Sequence, residues 1–308
     1  MSEVPELGAL DGLSIFCAGS YARLEASDQS DIDLFFVYGK DATPSADRRT
    51  KEIKLFANLI DIAGNMKFPP FSNDAQYLAT MEASAMLEHL GGREDDGQNH
   101  FTMRMLMLLE SRCLHGEDSF NSVQESIISA YFRDYPDHQA SFEPWFLIND
   151  IGRFWKTLLL NYEHKRNQPA NDEILKNKQK VKNFKLKFSR MTTCFATVAA
   201  LTSHPSPLQE ADILELVKLT PQQRLAAAGT YMPAVSDSVN RVLEEYEWFL
   251  EQTAQTEEEL RQGFEKTESR VERFKRANAY GDAMFDLLVA IGDQKEDGSK
   301  RLLRYLVI

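Results

Sequence analysis

The sequence predicts an α+β protein: a small α/β unit with a short mixed sheet over residues 1–135, then a larger all-helical unit over residues 136–308. Three observations predict it. Two short apolar runs, at 13–18 and 32–38, the second rich in aromatic and β-branched residues, fall within the first forty residues. From Asp74 onward apolar residues recur at helical spacing almost without interruption. A break in this pattern near residues 134–143, around Pro136, separates the two parts.

Taken in order, Leu13-Ser14-Ile15-Phe16-Cys17-Ala18 is apolar and ends in Gly19-Ser20, the pattern of a strand entering a turn. Tyr21 to Glu25 is long enough for one helical turn, and Ala26 to Ser30 is a polar loop. Ile32 to Tyr38 is the second strand, closed by Gly39. Ser45 to Ala63 has helical spacing, with Ile53, Phe56, Leu59, Ile60 and Ala63 expected on one face. Met66 to Phe71, interrupted by Pro69-Pro70, is the third strand candidate. Helices are expected over 74–90, 99–114, 118–133, 142–166, 174–203, 208–219, 233–254, 256–276, 278–292 and 297–307. Gly91-Gly92, Gly116, Gln168-Pro169, Pro205-Ser206-Pro207, Pro221 and Gly229 are the expected breaks. No internal repeat is evident.

Composition narrows the class. Hydrophobic residues at 43% and charged residues at 27% are ordinary for a globular chain of 308 residues, enough for one large or two ordinary domains. No run of about 18 apolar residues occurs, so no membrane helix is expected. The acidic N-terminus lacks the basic-then-apolar order of a signal peptide. Cys17, Cys113 and Cys194 lie far apart without metal-ligand spacing, the pattern of reduced thiols in a cytoplasmic protein. A net charge of −12 argues against a general nucleic-acid binder, whose affinity comes from neutralising phosphates. One basic island runs against that total. Between Ile174 and Gln209 there is no Asp or Glu, while Lys176, Lys178, Lys180, Lys182, Lys185, Lys187 and Arg190 fall inside it.

The chemistry is concentrated in Gly19-Ser20-Tyr21-Ala22-Arg23-Leu24-Glu25 and Ser30-Asp31-Ile32-Asp33-Leu34. On a strand, residues two apart point to the same face, so Asp31 and Asp33 are expected to project together. Two convergent carboxylates repel each other unless a cation sits between them. Mg²⁺ takes one or two carboxylates and completes its shell with substrate phosphates and water. Gly19-Ser20 is the complementary half, because a glycine lets backbone approach a phosphate, helix N-terminal N–H groups favour an anion, and the serine adds a donor. A lone Asp-x-Asp is usually a solvated strand edge and a lone Gly-Ser simply a turn. The conjunction of strand, Gly-Ser, helical turn, Ser-Asp-x-Asp and a second strand is far more specific.

The segment from Gly19 to Leu34 resembles the DNA polymerase β-type nucleotidyltransferase superfamily. Within it, the Tyr21-x-Arg23-x-Glu25 element and the Ser30-Asp31-x-Asp33-Leu34 strand are most similar to the N-terminal domain of PII-protein uridylyltransferases and their uncharacterised bacterial relatives. Leu109-Glu110-Ser111-Arg112-Cys113-Leu114-His115-Gly116 is a weaker echo of a helix end in that group. The resemblance covers residues 12–125. It implies transfer of a nucleoside monophosphate from an NTP to an acceptor, with release of pyrophosphate and Mg²⁺ (or Mn²⁺) as cofactor. It also implies three carboxylates at the site. Asp31 and Asp33 would be two; the Met66–Phe71 run holds no acid, and Asp74 just after it is the residue assigned as the third. Arg23 is a candidate phosphate contact, although its first expected role, with Glu25, is a structural ion pair around the turn. No histidine is followed by Asp, so the phosphohydrolase motif of the full-length uridylyltransferases is absent.

In the helical part, Asp150, Arg153, Thr157, Asn161 and His164 form a polar stripe, either a solvated face with an Asp150–Arg153 pair or a lining that places Arg153 near phosphate. Lys178, Lys182 and Lys185 share one helical face, Lys180 and Lys187 another. Lys185 and Lys187 are the candidates for triphosphate or acceptor contact, with Arg190 similar. Trp248, Phe249 and Phe274 read as packing or oligomer surface, so a homo-oligomer through the C-terminal helices is an expectation. The acceptor stays open between a protein, an RNA end such as tRNA, and a small molecule. Two alternatives accompany this reading: a catalytically weakened nucleotide-sensing module, and a toxin or defence enzyme that acts on tRNA or makes a nucleotide second messenger.

Overall fold

The computed structural model describes every residue except 1–3, 28, 29, 72–74, 76, 77, 168–172, 296–298 and 308. The chain is α+β and divides into two compact units, Met1–Arg133 and Asp134–Ile308.

The first unit is built on β1 (Leu13–Ala18), α1 (Gly19–Arg23), β2 (Asp33–Tyr38) and α2 (Arg48–Asn65). Then come β3 (Thr80–Glu82), α3 (Ala83–Glu88), α4 (Arg93–Gly97), α5 (His100–Leu109), β4 (Ser111–His115) and α6 (Glu117–Tyr131). Its four-stranded mixed sheet has the order β3-β2-β1-β4. β2 and β4 flank β1 antiparallel, and β3 joins β2 in parallel. All six residues of β1 are buried, because it is an inner strand with both faces covered. On one face Leu13, Ile15 and Cys17 join Leu34, Phe36 and Tyr38 beneath Leu55, Phe56 and Leu59 of α2. On the other, Phe16 stacks on Phe35 with centroids 5.4 Å apart and meets Phe120 of α6 at 5.6 Å. Where β4 passes into α6 the chain crosses β1 so closely that a Cβ on Gly116 would lie 2.3 Å from the Leu13 carbonyl oxygen.

The two strands expected from the apolar runs are present, within a residue of their expected ends. The third is elsewhere. Residues 66–71 form no strand: Met66 and Lys67 turn out of α2, and Phe68 packs on Tyr21 at 5.6 Å. Pro69 and Pro70 also lack the N–H groups a ladder needs. The sheet instead gains β3 from inside the expected helix 74–90, and β4 from inside the expected helix 99–114. The helix ends at Leu109, and Ser111–His115, expected within or just beyond that helix, are strand.

The second unit is helical: α7 (Tyr135–His138), α8 (Trp145–Arg166), α9 (Glu173–Lys185), α10 (Met191–Ser203), α11 (Glu210–Lys218), α12 (Pro221–Tyr231), α13 (Ser236–Thr253), α14 (Glu257–Glu265), α15 (Thr267–Asp293) and α16 (Ser299–Val307). A π-helical turn, Leu186–Arg190, joins α9 to α10. Pro221 starts a helix instead of breaking one. It occupies the first turn, where no backbone donor is needed, behind a Thr220/Gln223 capping box. The break expected near residue 277 lies at Lys266, whose extended backbone separates α14 from α15. Phe184, Phe188, Trp248, Phe249, Phe264 and Tyr280 form one aromatic cluster, so Phe249 is core. Among the described residues no helix is long and apolar enough to cross a membrane.

Candidate active site at the β1–α1 turn

Ala18 ends β1 paired with Asp33 on one side and Ser111 on the other. Gly19 follows at φ +72°, a conformation that L side chains rarely adopt. A Cβ on it would also lie 3.2 Å from Asp33 Oδ2. The carboxylate therefore lies close beside the turn, and glycine is favoured twice: for the backbone angle and for the room that Asp33 takes. Ser20 follows, half-exposed, in the first turn of α1, where amide N–H groups have no intrahelical acceptor.

Asp33 is half-buried at the first position of β2, and Asp31 is exposed just before the strand begins. The pair thus straddles the strand end; only Asp33 is held by the ladder. Ser30 supports the approach, donating its N–H to the Ser27 carbonyl at 2.9 Å and accepting from the Ser27 N–H through Oγ at 3.0 Å. The two carboxylates supply hard oxygen donors, which suits Mg²⁺ or Mn²⁺ completed by phosphate oxygens and water. Among the described residues, no group of three or more His, Cys, Asp and Glu side chains could hold a metal. Asp74, assigned as the third ligand, lies outside the described residues.

Arg23 closes α1 and turns inward. It is buried, its Nε donating to Glu25 at 2.8 Å and its Nη1 to Glu110, whose side chain is fully buried between α5 and β4. Both donors are therefore directed at carboxylates, which is the structural ion pair open in the sequence and not a contact poised for phosphate. Glu110 is the partner that sequence reasoning missed, although it lies in the Leu109–Gly116 segment and closes the apolar Met105–Leu109 run. Leu24, next in the chain, takes the left-handed conformation (φ 60°) with its side chain 66% exposed. Behind the site, burial pushes the Cys17 thiol up, which keeps it an inert part of the core.

The remaining candidates belong to the second unit. Arg153 pairs with Asp150 at 3.5 Å along α8. Lys185 is exposed at the end of α9, and Lys187 donates to Asn278 Oδ1 at 2.6 Å. α9 packs beside α14, where Lys178 adds to the field that, after the Arg261 and Gln262 hydrogen bonds, holds the Glu258 carboxyl down at about 2. Part of the basic island is thus answered within its own unit. The structure brings Gly19, Ser20 and Asp33 together in the first. No family model, curated protein or solved structure matches the chain.

Proposed function

We propose that the chain is a metal-dependent nucleotidyltransferase, moving a nucleoside monophosphate from an NTP to an acceptor and releasing pyrophosphate. The observation that carries this reading is the close approach of the Asp33 carboxylate to the left-handed Gly19 turn, which follows Ala18, the ladder partner of Asp33. It sets a donor-rich turn, where polyphosphate can lie against backbone, directly beside an acid able to take a cation. Asp31 and Asp33 would hold Mg²⁺ or Mn²⁺, which supplies charge neutralisation for the phosphates. The Ser20 hydroxyl and the first amides of α1 would donate to phosphate oxygens. The acceptor oxygen attacks the α-phosphorus, the α–β anhydride bond breaks, and the acceptor's proton passes to a site carboxylate, the role assigned to Asp74. Arg23, tied to Glu25 and Glu110, anchors the segment that carries this turn.

The test is incubation with each α-labelled NTP, Mg²⁺ or Mn²⁺, and separate protein, tRNA and small-molecule fractions. Labelled product and free pyrophosphate should appear with the intact chain and vanish in Asp31→Asn and Asp33→Asn variants that melt like the parent. Label transfer undiminished in both variants would overturn the reading. Metal-dependent NTP binding without turnover on any fraction would instead mark a nucleotide-sensing module.

A further inference from the structure

Helix α2 carries more apolar surface than the sheet covers. Glu52, Leu55, Phe56, Leu59 and Ala63 are buried, but Ile53 and Ile60, expected on that same face, remain 55% and 43% exposed. With the exposed Ala57 and Gly64 they form a stripe along the flank of the helix at spacings of four, three and four, the repeat by which one helix meets another. Nothing lies within 4 Å of where a Cβ on Gly64 would sit. Lys54 and Asp61, seven residues apart, line the outer edge of the stripe, and among the described residues neither has an ion-pair partner.

We infer that this stripe is a self-association face, occupied by α2 of a second copy of this chain running antiparallel about a two-fold axis near Ala57. The charges choose the occupant and its direction. Antiparallel packing sets Lys54 of each copy opposite Asp61 of the other, twice by symmetry, while Ile53 and Ile60 bury each other's exposed flanks. Parallel packing would turn the Lys54–Asp61 edge of each copy away from that of the other, so neither pair would form. Ala57 and Gly64 leave room for the close approach of two helices, about 8–10 Å between axes. A helix of 18 residues is about 27 Å long, so the contact falls below the standard 1,200–2,000 Å² or so of a permanent interface. The dimer is therefore weak and concentration-dependent.

Sedimentation equilibrium of the full chain over about a hundredfold range of concentration reads this directly. The parent should follow a monomer–dimer isotherm, and Ile60→Asp should stay monomeric throughout. Lys54→Glu and Asp61→Lys should each weaken the dimer about tenfold, and the double charge swap should restore it. Melting curves matching the parent confirm that each variant is folded. A parent that stays monomeric, a dimer indifferent to Ile60→Asp, or a swap that fails to restore association would each overturn the assignment.

Discussion

Replacing Gly19 with alanine tests the candidate site and its packing together. An L side chain in the left-handed region costs about 1–2 kcal/mol. Part of that is offset, because alanine restricts the unfolded chain more than glycine by about 0.4–1 kcal/mol. Leu24 shows that this protein carries a side chain at φ 60°, so the angle alone does not forbid folding. The second contribution is particular to this turn: the new methyl would stand 3.2 Å from Asp33 Oδ2, so the carboxylate must give by a few tenths of an ångström. Together these should lower stability by about 1–2 kcal/mol, well inside the 5–15 kcal/mol or so of a folded domain. Urea titration should show an earlier midpoint with an unchanged slope. The double-mutant cycle separates the two parts. In an Asp33→Ala background the crowding atom is gone, so Gly19→Ala should cost only the backbone strain, a coupling of about 0.5 kcal/mol or more. Calorimetry with a non-hydrolysable NTP and Mg²⁺ should show the single Gly19 variant losing about tenfold or more in affinity, since Asp33 has been displaced. An equal cost of Gly19→Ala in both backgrounds, with unchanged affinity, would refute the proximity on which the functional reading rests.

Two further outcomes follow from buried charge in the first unit. Arg104 and Asp95 are both fully buried, with Arg104 donating to the two carboxylate oxygens at 2.5 and 2.7 Å, so Arg104→Met leaves an isolated acid inside and should cost about 3–5 kcal/mol in urea unfolding. His100 is buried and stacked on His89 at 5.4 Å, and burial, with the His89 charge next, lowers its pKa. The unfolded chain then binds the proton more tightly. Stability from His100 is full above the unfolded value near 6.5 and is lost as the pH falls from there through the lowered folded value. Urea midpoints at about pH 7.5 and pH 5 should therefore differ more for the parent than for His100→Asn; equal differences would show that His100 takes no part.

Legibility in the sequence followed the range of the interaction responsible. β1 and β2 were readable because aromatic and β-branched residues are bounded by Gly19 and Gly39, and the pattern is complete within a few residues. The Gly19 turn was readable for the same reason; of Asp31 and Asp33, both expected on the strand, only Asp33 lies on it. β3 and β4 were not. Thr80-Met81-Glu82 is strand only because β2 offers it a parallel edge, and Ser111–His115 only because β1 offers an antiparallel one. Intrinsic preference favours helix through much of both segments, and tertiary pairing overrides it. Pro221 is a different case: the Thr220/Gln223 capping box is local, and behind it proline serves as a first-turn residue and not as a breaker.

By itself, then, the sequence determined a strand–turn–strand unit that brings glycine, serine and two acids into one short segment, followed by a mostly helical chain. Only the tertiary structure decided that the Asp33 carboxylate lies where a side chain at position 19 would reach, and that Arg23 is held by Glu110, 87 residues away. It also decided that the apolar arc of α2 overhangs its sheet at Ile53 and Ile60. The division is physical. Periodicity and turn chemistry act between neighbours along the chain, whereas an ion pair across the fold, or a face left uncovered, depends on which distant segments close upon each other.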